Sequence, residues 1–454
     1  MPVRLAIWTK GRASGSPRED HILSSPVAPW GERRCKGDAE GHGMAKQTAL
    51  SSGRAMQGRL LLYLGFAATG VGVVMPGALL PALLRFWKLN DSQAGSLFLA
   101  IIIGSAIGSL VVSGILRRLI LRSSAMLCLS ALALAFWPHW LAIFCFLWGF
   151  GLGMLMTSIT LTMRSLTVTP MTELVRLNLL WAAGAFICPV MMTHALRVNR
   201  PDGVLSGFAL FFALYTLALG FAETPGAAVP AMSFRLEDLT ASLRQVPFAL
   251  LLAMALAPGI ESAAGAWLAT YAARTHHMLS LTVRAPTFLW LGLLTSRALA
   301  FLPRAEEILR RSFVPLLLCV AASALTLSAS HGQDALLLAA GGIGFGLGPL
   351  YPILLARVLD YSPSGAVFFL AGVAAAILPW LTGLVSYATG SLQMGLALPA
   401  AASVLLLVLG WRLRQVQLTD GITYTSLGTE TATNPGHTST SPVVETSSVE
   451  STHR

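Results

Sequence analysis

From about residue 60 to residue 413 the chain is an almost unbroken succession of apolar stretches, separated by short joints that carry charge, Pro or Gly. A membrane span needs roughly 20 mostly apolar residues. In lipid every backbone N–H and C=O has to be paired within the protein, so such a chain folds as helices or as a closed barrel. The stretches are rich in Ala and Leu and lack period-two alternation, which selects helices. Of the 454 residues only 11% are charged, against about a quarter in a soluble domain. No soluble domain fits between the joints.

A formal charge of +11 raises the question of a nucleic-acid partner. The basic residues answer it, since they sit in the tails and at span ends rather than on one face, which is where membrane topology puts them. Cys35, Cys128, Cys145, Cys188 and Cys319 show no metal or redox spacing, and the last four lie in apolar runs as small buried hydrophobes. No cofactor and no metal are expected, and the protein is expected to be a monomer in the bilayer.

Twelve spans are expected, at 60–84, 93–116, 123–138, 140–163, 176–197, 203–222, 247–273, 282–302, 312–330, 335–358, 364–388 and 391–413. Joints after even-numbered spans, with their flanks, hold Arg117, Arg118, Arg122, Arg164, Arg176, Arg235, Arg244, Arg297, Arg304, Arg310, Arg311 and Arg357. Joints after odd-numbered spans hold Arg85, Lys88, Arg197, Arg200, Arg274 and Arg284. The richer side is expected to be cytoplasmic, which puts both termini inside a multi-pass protein of the cell membrane. Arg117, Arg118, Arg297 and Arg304 are expected to set topology and make cytoplasmic gate contacts.

The first 57 residues are polar and contain no apolar run resembling a cleaved signal peptide. Met44 and Met56 lie nearer the first span, so part of the first 43 residues is expected to be an overlong start assignment. Residues 414–454 are Thr- and Ser-rich and expected to be disordered. Residues 223–246, with Arg235, Glu237, Asp238 and Arg244, form the longest joint and are expected to carry a surface helix. They divide six-helix bundles at 58–222 and 247–413.

The two bundles repeat one another. Gly149-Phe150-Gly151-Leu152-Gly153 recurs as Gly344-Phe345-Gly346-Leu347-Gly348, and Ile115-Leu116-Arg117-Arg118 as Ile308-Leu309-Arg310-Arg311. Ala185 to Pro189 matches Ala375 to Pro379, and Pro76-Gly77 matches Pro258-Gly259. Every match pairs span n with span n+6, a rule that compositional coincidence does not obey. Parallel six-span halves related by an axis along the membrane normal are a transporter architecture, with the solute site between the halves near the midplane.

On these residues the chain resembles the major facilitator superfamily over about 58–413. Gly114-Ile115-Leu116-Arg117-Arg118 looks like a worn form of that superfamily's loop signature, with Leu116 near the place of the usual Asp. The second half resembles the L-fucose permease and glucose/galactose transporter group through Glu261 with Gly265-Ala266-Trp267-Leu268 and Tyr271, then Gly348-Pro349-Leu350-Tyr351-Pro352 and Ala375 to Gly383. The resemblance implies twelve helices and sugar–proton symport. Relatives in that group carry carboxylates in spans one and four, and here those spans contain no Asp or Glu.

Glu261 is the one carboxylate these spans place deep in the membrane. An ionised group there costs at least about 2.5–3.5 kcal/mol, so it usually faces a cavity and marks a pathway. An acid in that place serves as a proton carrier or as a ligand for solute hydroxyls. Pro258-Gly259 just before it is expected to interrupt the helix. Trp267 and Tyr271 share a face that points about 120° away from Glu261. With Trp181, Trp290, Tyr351 and Trp380 they are candidate aromatic platforms for a solute, and Asn178 is a candidate amide ligand. The GxxxG of Gly104 and Gly108 and the two GFGLG runs read as helix-packing surfaces. The sequence therefore points to a transporter of a small polar solute, with sugar the leading class. Efflux of an amphipathic compound and a non-transporting sensor or scaffold are the alternatives. An enzyme is not expected, because no catalytic dyad, metal-ligand spacing or phosphate-binding loop occurs.

Overall fold

The computed structural model describes residues 38–166, 170–222, 246–299, 311–329, 332–361 and 366–430, with residues 228, 229, 244, 302 and 308 between them. Two compact units divide the chain, Met1–Ser52 and Gly53–Arg454. Of the first, only the opening turns of one helix are described, and all packing below lies within the second.

The first half consists of α1 (Asp38–Phe86), α2 (Asp91–Leu110), α3 (Leu116–Phe136), α4 (Leu141–Ser165), α5 (Pro170–Met191) and α6 (Asp202–Phe221). The second consists of α7 (Phe248–His276), α8 (Leu279–Ala298), α9 (Phe313–Ala329), α10 (Gln333–Tyr361), α11 (Ala366–Thr389) and α12 (Leu392–Glu430). A 3-10 turn, Pro138–Trp140, makes the tight joint between α3 and α4, and a short helix, Thr193–Val198, leads from α5 to α6. Ten of the twelve are long and apolar enough to cross a membrane. The others are α9, with 17 residues, and α8, whose hydropathy is lowered by Arg284 and Arg297.

The helices run further than hydropathy alone delimits. α3 starts at Leu116 rather than 123, α1 at Asp38 rather than 60, and α12 continues to Glu430 rather than 413. Arg, Lys, Gln, Met and Ala around these ends are good helix formers, so the hydrogen-bonded helix outlasts the apolar stretch. The interruption expected at Pro258-Gly259 does not occur, and α7 is continuous through both. α11 likewise continues through Pro379, and the Ala375 carbonyl that this proline leaves without its helical N–H partner accepts from the Ser262 hydroxyl of α7 at 2.6 Å. Of the surface helix expected over 223–246, only Ala228–Val229, Arg244 and Val246 fall within the described residues, and Ala228–Val229 pairs antiparallel with Gly114–Ile115.

The duplication is realised in the packing. α2 packs on α4, and α8 on α10; α3 packs on α4 and α6, and α9 on α10 and α12. Each of these contacts in one half thus has its n+6 counterpart in the other. Glycines make the closest approaches. A side chain at Gly104 or Gly108 would strike the backbone of Phe146 or Phe150 in α4, and one at Gly149 or Gly153 would strike Ile101 or Ser105 in α2. In the second half Gly344 and Gly292 bring α10 and α8 together in the same way. Lys88 after α1 and His277 after α7 both sit at φ 54°, in the left-handed region, so the two unlike residues hold the same turn.

The halves meet along α2 with α11 and along α5 with α8, a pair of contacts that the n+6 relation exchanges. Gly77 of α1 abuts the backbone of Gly265 and Ala266 in α7.

Candidate functional site

The boundary between the halves holds a buried ion pair. Glu261 lies on α7, and Gly265, one turn further on, leaves room for the indole of Trp290 on α8; a Cβ there would lie 2.9 Å from Trp290 Cζ2. Trp290 and Arg297 are two turns apart on one face of α8. Arg297 Nη2 stands 4.0 Å from Glu261 Oε2, with the side chains 14% and 16% exposed. These two side chains are largely enclosed by the bundle and keep a small exposed remainder. The Arg297 guanidinium lies over the ring of Trp181 on α5, 5.1 Å from its centroid. Trp181 in turn meets Trp290 edge to face, 5.9 Å between centroids. Tyr351 of α10 is close enough for the charges of both Glu261 and Arg297 to act on its hydroxyl. Trp181 comes from the first half and the other four residues from the second, so the constellation spans both halves.

Burying two charges costs several kcal/mol each unless geometry and further contacts compensate. Here opposite charge offsets part of that cost, and so does the aromatic face of Trp181, which contributes on the order of 2 kcal/mol when desolvated. Arg297, expected to set topology and make a cytoplasmic gate contact, is the penultimate residue of α8 and is largely enclosed against Glu261 of α7 and Trp181 of α5.

The remaining candidates lie elsewhere. Trp267 is fully buried, its Nε1 donating to the Pro379 carbonyl at 2.9 Å, with Phe98 of α2 edge-on at 6.0 Å. Tyr271 is buried one turn beyond it. Trp380 is half-buried, and its backbone faces Gly95 of α2. Asn178 is exposed, and its amide donates to Leu174 O one turn back, at 3.0 Å. Arg117 caps the end of α6 by donating to Gly220 O at 3.0 Å and Ala222 O at 3.3 Å, which suits a cation at a helix C-terminus. Arg118 is exposed, and Arg304 lies outside the described residues.

Two further buried carboxylates escaped the hydropathy reading, because they fall just outside the spans it drew. Asp91, the first residue of α2, accepts from Arg274 of α7 (2.6 and 2.7 Å) and from Ser386 Oγ of α11 (2.6 Å). That network ties the two halves together at the end carrying the α1–α2 and α7–α8 joints. Glu173 of α5 accepts from the Tyr63 hydroxyl of α1 and pairs with Arg176 at 3.5 Å. An acidic residue two or three positions before an apolar run, with a basic residue ending another, was the available signal.

Twelve helices in two like halves, with an acid and a base buried side by side where they meet, define a polytopic membrane protein of the major facilitator fold. Among solved structures the chain is similar to a point-mutant form of nucleoside transporter NupG (12% identity, TM-score 0.63, 79% of this chain and 99% of that one). NupG itself gives 12% identity and a TM-score of 0.61, over 80% and 98% of the two chains. A POT family transporter in complex with 5-aminolevulinic acid gives 14% identity and a TM-score of 0.56, over 77% and 95%. No family model and no curated protein matches the sequence. At these identities the likeness is one of fold, and it does not narrow that fold to the fucose-permease group.

Proposed function

We propose that the chain is a secondary transporter that moves a small polar solute by alternating access and is not an enzyme. The observation that carries this reading is the Glu261–Arg297 pair, largely enclosed at the boundary of the halves and roofed by Trp181 of the opposite half. The fold's solved relatives, a nucleoside transporter and a POT family transporter, support the same class of cargo. Glu261 is the group of this pair that can take up a proton. Asp91, Arg274 and Ser386 form the latch that closes one end of the pathway. The Lys/Arg bias of the joints assigns that end to the outside, with both termini in the cytoplasm. Sugar is the first solute class to try, because the aromatic faces of Trp181 and Trp290 suit the apolar C–H faces of a pyranose.

Amphipathic efflux has one observation in its favour, an apolar recess in the first half lined by Met75, Leu79, Phe98 and Trp148. Counterflow in proteoliposomes with labelled sugars, nucleosides, small organic acids and a lipophilic cation separates the readings. Saturable exchange of a polar solute, lost in Arg297→Gln, is expected. Exchange of the cation alone would favour efflux, and no exchange of any compound would overturn the transporter reading.

A further inference from the structure

The site holds an imbalance of hydrogen-bonding groups. Trp181 Nε1, Trp290 Nε1 and Arg297 Nε are buried and make no hydrogen bond, and the two tryptophans are 8% and 3% exposed. Indole and guanidinium nitrogens only donate, and a buried donor without an acceptor is unfavourable. The Glu261 carboxylate faces Arg297 at 4.0 Å, a charge contact too long for a hydrogen bond. What is missing around Arg297 is a set of acceptors.

We infer that the solute is a small carboxylate, which displaces Glu261 from Arg297 and accepts hydrogen bonds from the unpaired nitrogens of Arg297, Trp181 and Trp290. This rests on the transporter reading and specifies its cargo. A hydroxylated carboxylate, such as a sugar acid, also uses the aromatic faces.

Charge balance then fixes what accompanies the solute. In the empty site the Arg297 cation and the Glu261 anion sum to zero. Adding a carboxylate would leave an uncompensated negative charge in a low-dielectric interior, which is strongly unfavourable. The balance is restored when a proton from water on the loading side binds a Glu261 oxygen. No bond to the solute forms or breaks. Arg297 now pairs with the solute, Glu261 is neutral, and the sum is again zero, so one proton crosses with each carboxylate and no net charge moves. The other titratable or charged groups acting on this pair among the described residues are limited to Tyr351 of α10. α5 brings Trp181, and α11 meets α7 at this level through the Ala375 carbonyl. A neutral sugar would leave the Arg297–Glu261 pair intact and give Glu261 no cause to take a proton.

The test is tryptophan fluorescence and thermal shift on the purified full chain in nanodiscs. The probes are mono- and dicarboxylates of two to seven carbons, gluconate and glucuronate included, with galactose and uridine as neutral controls. At least one carboxylate is expected to bind to the wild type, with affinity rising about tenfold per unit fall in pH, as uptake of one proton requires. Glu261→Gln should bind the same probe at least tenfold more tightly at neutral pH and with a flat pH profile, because its competitor carboxylate is gone. Arg297→Lys should bind it at least tenfold more weakly. A flat wild-type profile overturns the proposal even if neither variant can be purified. Binding or counterflow of neutral solutes with no carboxylate bound overturns the anion inference and leaves the transporter reading standing. If nothing binds and nothing exchanges, both fall.

Discussion

At the scale of single residues, the account rests on how a charge is kept inside a membrane. Arg297 is held by Glu261 and by the face of Trp181, so removing one partner is worse than removing both. Arg297→Ala should lose about 3–5 kcal/mol of stability, the usual cost of stranding a buried charge, read as a lower melting temperature in detergent. Arg297→Ala with Glu261→Gln should recover most of that loss while remaining inactive in counterflow. A double variant as unstable as the single one would mean that the pair is not coupled. Glu261 was legible in the sequence as a lone acid in an apolar run. Its partner was not, because an arginine near a span end ordinarily marks the cytoplasmic boundary, and only packing of α8 against α5 and α7 shows that this one is enclosed. Trp267 and Tyr271 illustrate the converse. Their spacing suggested a platform, but Trp267 is committed to the Pro379 carbonyl.

At the scale of helices, small residues set the distances and one polar network joins the two halves. The GxxxG and GFGLG runs announced close packing, and α2–α4 and α8–α10 meet there. Replacing Gly344 with Leu should therefore force α10 off α8 and abolish a monodisperse peak in size-exclusion chromatography, since no side chain fits against the Leu289 backbone. The Asp91–Arg274–Ser386 network binds α2 to α7 and α11. A charged hydrogen bond contributes about 1.5–3 kcal/mol, so Asp91→Asn should shift the balance toward opening at that end by roughly tenfold or more. Thiol labelling of a cysteine placed at Thr382 would report it as a faster rate; an unchanged rate would remove the latch. Helix ends were the least legible feature, because hydropathy marks where apolar surface begins and hydrogen bonding carries α1, α3 and α12 further.

At the scale of the molecule, the internal repeat was the most informative signal. Four weak matches, all obeying the n+6 rule, implied two like halves, and the packing of α2 on α4 and α8 on α10 follows the same rule. The shared φ of 54° at Lys88 and His277 could not be read from the sequence, since the two residues differ in kind. Orientation remains a proposal drawn from Arg and Lys placement. In a cysteine-free background, His277→Cys should react with a membrane-impermeant maleimide in intact cells, whereas Arg118→Cys should react after permeabilisation. The reverse pattern would invert the topology.

Proton movement in proteoliposomes decides whether solute binding at the boundary of the halves puts a proton on Glu261. For wild type, an inward gradient of the transported solute should make the external medium more alkaline, and Glu261→Gln should abolish that signal while solute counterflow persists. Alkalinisation undiminished in Glu261→Gln, or wild-type solute flux without any proton movement, would contradict the account.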